Sequence, residues 1–151
     1  MYTITLILHS WLRWAVIASG LLATASTFVA RPAGAPDPTD RWGLFFMASL
    51  DVQMLLGLLL YFALSPTTAA ILKDFGGAMS DPVARFWAVE HACTMLLAVV
   101  LVHVGRILAR KASTPAKKRT RLMVCFTLAT LLILAATPWP GMTAGRPLFR
   151  V

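Results

Sequence analysis

FWAVEHACTMLLAVVLVHVGRIL, residues 86–108, decides how the rest of the chain is read. A transmembrane helix needs about 20 mainly apolar residues. This stretch supplies them, with Glu90, Arg106 and two histidines as its only ionisable groups apart from a thiol. Residues 3–29, 42–64 and 122–137 have the same character. The last is short, and Pro138-Trp139-Pro140 completes it, with Trp139 at headgroup level. The sequence therefore predicts an all-α fold: one domain over residues 1–151, an integral membrane bundle of four helices.

Composition agrees. Apolar residues make up 58 % of the chain and charged residues 13 %, with mean hydropathy +0.74. A soluble domain carries about a quarter charged residues, so most of this chain's surface is not built for water. The net charge of +8 is not a nucleic-acid signature. Half of the basic residues (Arg106, Arg110, Lys111, Lys117, Lys118, Arg119 and Arg121) fall between two apolar stretches, where they act as a topology signal and a contact for anionic lipid. Cys93 and Cys125 sit within apolar spans near opposite faces, so they are expected to stay unpaired. The first span has no basic stretch before it and no cleavage site after it, and is expected to be retained.

Three connections join the spans. Arg31-Pro-Ala-Gly-Ala-Pro-Asp-Pro reads as a loop. Residues 65–85 are longer than a bundle turn needs; residues 67–75 form either a short helix along the membrane surface or a solvated loop. Ser80-Asp81-Pro82 supplies an N-cap and a first-turn proline for the third helix, and Thr114-Pro115 interrupts the basic third connection. The second connection holds only Lys73 and Arg85 against seven basic residues in the third. The positive-inside rule then places the third and first connections in the cytoplasm and both termini outside, with Arg146 and Arg150 as a minority against it.

Ionisable side chains in a span are functional candidates. His9 lies about 9 Å below the outer end of the first helix at ~1.5 Å per residue, and His91 lies at nearly the same depth on the third, which runs the same way. Helical bundles bind haem between two such imidazoles. Arg13 is one turn below His9 on the same face, placed for a haem propionate or a quinone oxygen, and Glu90 adjoins His91. Two readings stay open for this group: one bis-histidine b-type haem, or a polar clasp closed by a buried Arg13–Glu90 ion pair. No CxxCH motif occurs, which excludes covalent attachment. Asp51, near the midplane of the second span, serves a proton path or bonds a neighbouring helix. His103, about 18 Å further along the third helix, is too far to join His91 and with Arg106 marks the inner boundary.

Residues His9-Ser-Trp-Leu-Arg-Trp14, Asp51-Val-Gln-Met-Leu-Leu-Gly-Leu-Leu-Leu-Tyr-Phe62, Phe86-Trp-Ala-Val-Glu-His91, Gly105-Arg106 and Pro138-Trp-Pro140 resemble small four-span bacterial membrane proteins labelled cytochrome b or cytochrome b-like, frequent in Bacteroidota. The resemblance runs over nearly the whole chain. It implies b-type haem and electron transfer in the bacterial inner membrane, with His9 and His91 as the histidine positions and Arg13 and Glu90 as companions. A chain with three histidines can hold one such haem, not the two stacked haems of a wire across the membrane.

Three functions follow. The first is a haem-b electron-transfer protein, working with other membrane subunits, a quinone-linked complex or an outer-side electron carrier. The second is a haem-free structural or assembly subunit, and the third a small proton-conducting or transport bundle using Asp51 and Glu90. The lack of inverted repeats and broken helices weighs against transport. No hydrolase or transferase motif is present.

Overall fold

A computed structural model of the chain describes residues 1–29 and 38–150; residues 31–37 of the proline-rich first connection lie outside them. Helix α1 (Tyr2–Phe28) is followed by α2 (Pro38–Leu59), which runs on through a π-helical turn, Leu60–Leu64. Short helices α3 (Pro66–Lys73), α4 (Phe75–Ala78) and α5 (Pro82–Arg85) come next. Helix α5 continues through a second π-helical turn, Phe86–Glu90, into α6 (His91–Arg110), and α7 (Pro115–Ala136) ends the helical part. No strand occurs among the described residues. Four rods, Tyr2–Phe28, Pro38–Leu64, Pro82–Arg110 and Pro115–Ala136, are long and apolar enough to cross a membrane.

Two rods start earlier than hydropathy suggests. The third begins at Pro82, four residues before its apolar run and where the Ser80-Asp81-Pro82 cap predicts: Asp81 accepts the Ala84 N–H at 2.6 Å and Pro82 opens the first turn. The fourth begins at Pro115, not residue 122, with Thr114 Oγ1 accepting the Lys117 N–H at 3.2 Å. A capped, proline-led helix carries through Lys and Arg readily, because both are good helix formers. The basic cluster therefore lies mostly on helices, and much of it closes helix ends. The Arg119 guanidinium donates to the Thr27 carbonyl at the end of α1, and Arg121 donates to the Leu108 carbonyl of α6 at 2.6 Å. These carbonyls have no partner within their own helices. Lys118 pairs with Asp40 at 2.7 Å.

The long second connection takes its helical alternative over Pro66–Lys73. Ser65 caps it, accepting from Thr68 N, and Thr68 Oγ1 ties it back to the Tyr61 carbonyl at 2.9 Å.

The rods form a ring in the order α1, α2, α6, α7. The pairs α1–α2 and α6–α7 pack most closely, and the seam between α2 and α6 is the loosest. Small residues set the close approaches, as they do in membrane helix pairs. A Cβ on Gly105 would stand 2.5 Å from Cys125 Cβ, and one on Gly20 would stand 3.0 Å from the Phe46 ring. Phe46 and Phe126, both fully buried, meet edge to face at the centre, 5.8 Å between centroids. Hydroxyl pairs stitch the interior: Ser19 with Ser49 and Thr24 with Thr130, each at 3.1 Å. Cys93 and Cys125 are both free thiols.

Candidate functional site: a cavity between two histidines

At the end of the bundle that carries α3 to α5, the helices part around a cavity of about 490 Å³, within the range of ligand sites. On α1 the sequence places Tyr2, Leu6, His9, Arg13 and Val16 on one helical stripe along its wall. His91 faces the same space from α6. The two imidazoles matched by depth thus share one chamber, because α1 and α6 run in the same direction from the same end.

Each ring is held differently. His91 Nδ1 lies 2.8 Å from the Ala136 carbonyl. A carbonyl only accepts, so Nδ1 carries the proton and Nε2 is left with its lone pair free, the arrangement that presents a histidine to a metal. Phe86 and Trp87 flank the ring at 5.7 and 5.6 Å. His9 rests against the bare backbone of α2: a Cβ on Gly57 would stand 3.2 Å from His9 Cε1. Gln53 fixes the adjoining main chain, donating to the His9 carbonyl at 3.0 Å.

The polar atoms left unpaired are the strongest feature of the chamber. Among the described residues, His9 Nδ1, Arg13 Nε, Gln53 Oε1 and Trp87 Nε1 are buried without a hydrogen-bond partner, and all four residues line this cavity. Buried polar groups are normally paired, so four orphans on residues that line one apolar chamber mark a place for a ligand with polar substituents.

Arg13 and Glu90 do not pair. Arg13 donates to the Leu148 carbonyl at 2.6 Å, while Glu90 is half-exposed and pairs with Arg85 at 2.8 Å. Consecutive helical residues point about 100° apart, so a neighbour of His91 in sequence need not share its chamber, and Glu90 is not on the cavity wall. The clasp closed by that ion pair is therefore absent. Asp51 and His103 lie outside the chamber and face each other, Oδ2 to Nε2 at 3.5 Å.

Residues 137–150 supply what the sequence reading left out. This segment folds back over α1, where Trp11 donates to the Arg150 carbonyl at 2.8 Å and Trp14 to the Leu148 carbonyl at 3.2 Å. Phe149 packs on both indoles. The fold brings Arg146 and Arg150 to the cavity, with Arg146 over the Trp87 ring at 4.9 Å. Read only as charges against the topology, these two arginines become, with Arg13, a cationic rim. The π-helical turns frame the same end: Tyr61 in one donates to the Ala88 carbonyl in the other at 2.7 Å.

No group of three or more His, Cys, Asp or Glu that could hold a bare metal ion occurs among the described residues. A second depression of about 560 Å³, at Arg41, Trp42 and Phe45 on the outside of α2, has no histidine near it. No family model, curated protein or solved structure matches this chain.

Proposed function

We propose that this chain is a membrane b-type haem protein that transfers electrons, with His9 and His91 as the iron ligands. The observation that carries this reading is the shared chamber with its free imidazole nitrogens and unpaired donors. A porphyrin supplies four nitrogens of its own, so two histidines suffice where a bare ion needs more protein ligands. The donor set suits its other end as well: Arg13, Arg146 and Arg150 at the rim, with Arg13 Nε and Trp87 Nε1 unpaired, are matched to carboxylates. When bound, haem b would supply one-electron redox chemistry. The residues of the chain would position it, exclude water through the α3 cover and the folded-back segment 137–150, and tune its potential through the Ala136 bond to His91.

The four rods are taken to cross a bacterial inner membrane, with the basic end in the cytoplasm and the cavity end outside. The site would then exchange electrons with an outer-side carrier, a quinone-linked complex or other membrane subunits. A transport role has less support, because Asp51 and Glu90 share no chamber.

The reduced-minus-oxidised visible spectrum of protein made with ample haem tests the reading. A low-spin b-type spectrum is expected. His9→Ala or His91→Ala removes it or turns it high-spin, and His103→Ala leaves it unchanged. If the wild-type protein has no Soret band, the haem-free structural or assembly subunit takes its place.

A further inference from the structure

The chamber comes to the surface on two sides of different character. Toward the loosest seam of the ring its wall is made by Leu58 and Phe62 of the second rod and Cys93 and Leu96 of α6, all exposed and none charged. On the opposite side, between the end of α7 and α1, residues 146–150 close the wall. They bring Arg146 and Arg150 to the chamber with Arg13.

Residues 147–150 are fastened lightly. Among the described residues they make no backbone–backbone hydrogen bond. Three α1 side chains hold them instead, Trp11 on the Arg150 carbonyl and Arg13 and Trp14 on the Leu148 carbonyl. Pro147, Leu148 and Phe149 are exposed, and Phe149 lies on the two indoles with 57 % of its own surface open. The turn behind them is closed on itself, Arg146 N donating to the Pro138 carbonyl at 3.0 Å. A segment with few buried contacts, set beside a firm base, opens readily.

Arg13 links this segment to the chamber. Its Nη2 holds the Leu148 carbonyl while its Nε stays buried and unpaired. An anionic group on Nε therefore leaves the fastening in place, and Arg150 joins that group only while residues 147–150 are down. None of the ion pairs among the described residues involves Arg13, Arg146 or Arg150. Closing over an empty chamber gathers like charge, and closing over an anion offsets it.

We propose that residues 147–150 are a flap that admits an amphiphile to the chamber, apolar edge first, and closes over its anionic edge. The charges choose this side. A ligand whose carboxylates come to rest at the three arginines would otherwise drag them through the apolar seam between α2 and α6, where burying charge is costly. Haem as the ligand rests on the function proposed above; the opening of the flap does not need haem.

The test pairs haem kinetics with a spin label. Phe149→Ala strips the cover from Trp11 and Trp14 and touches no residue of the chamber wall. It weakens the closed flap equally with and without ligand. Haem association and haem transfer to apomyoglobin should therefore both quicken about tenfold, with the dissociation constant unchanged. A nitroxide on Leu148→Cys in a Cys93→Ser background, in nanodiscs, should show a mobile and an immobile component without ligand. Phe149→Ala should enlarge the mobile one; haem should shrink it, and haem dimethyl ester, which lacks the carboxylates, should not. One immobile component throughout overturns the flap whether or not haem binds, whereas a missing Soret band overturns the haem reading alone. A raised dissociation constant in Phe149→Ala, or equal closure by the ester, also overturns the proposal. So do haem rates unmoved by Phe149→Ala but quickened by Phe62→Ala, which would put the entrance at the α2–α6 seam.

Discussion

Replacing Gly57 with alanine puts one methyl group against His9 and leaves almost everything else alone. The new Cβ would stand 3.2 Å from His9 Cε1 and 3.8 Å from Nδ1, where carbon contacts settle at about 3.5–4.0 Å. The ring must retreat by a few tenths of an ångström. Without ligand it retreats into the cavity, and the variant keeps or gains stability, since alanine favours a helix over glycine by about 1 kcal/mol. With the cavity filled, the ring has nowhere to go. Overpacking of this kind costs about 1–3 kcal/mol, which falls on the loaded state alone and weakens haem affinity about 5- to 150-fold. The assay is a haem titration of apo-protein followed at the Soret band, beside thermal melts of apo-protein in detergent. Gly105→Ala is the control: its Cβ meets Cys125 Cβ at 2.5 Å, so it must part α6 from α7 and lower the melting temperature with or without haem. Wild-type haem affinity in Gly57→Ala would refute the placement of His9 at the ligand.

Reversing the rim, in Arg146→Glu/Arg150→Glu, should raise the haem dissociation constant at least tenfold, about 1.4 kcal/mol, while the spectrum of the remaining bound form stays low-spin. Glu90→Gln breaks only a half-exposed pair with Arg85; it should change stability by less than about 1 kcal/mol and leave haem content as it was, and lost haem would put Glu90 back in the site. A reporter fused after Lys117 should read as cytoplasmic and one at the C-terminus as outside, whereas two cytoplasmic readings would break the topology.

The four rods are legible because a run of about 20 apolar residues has few alternatives. Their starts need the caps as well: Ser80-Asp81-Pro82 marks the third in the sequence, whereas Thr114 opens a fourth helix that continues through Lys and Arg, which a hydropathy scan cuts away. His9 and His91 could be matched from numbering alone, since depth on parallel helices is a residue count. Facing is another matter. Glu90 stands beside His91 in the chain and outside its chamber in space, partly because the wide turn over Phe86–Glu90 resets the helical phase. Two further features needed the tertiary register. Asp51 meets His103 only because α2 and α6 are adjacent and antiparallel, and Arg146 and Arg150 reach the cavity only because a segment without regular structure folds back over α1.

The ring is also two hairpins laid side by side. Helices α1 and α2 hold each other, as do α6 and α7, and the halves meet more loosely. Each half brings one of the two imidazoles. A ligand gripping both would act as a bolt through the dimer of halves. Cut between residues 74 and 81 and co-expressed, the two pieces should reassociate far more tightly when haem is supplied than when it is withheld.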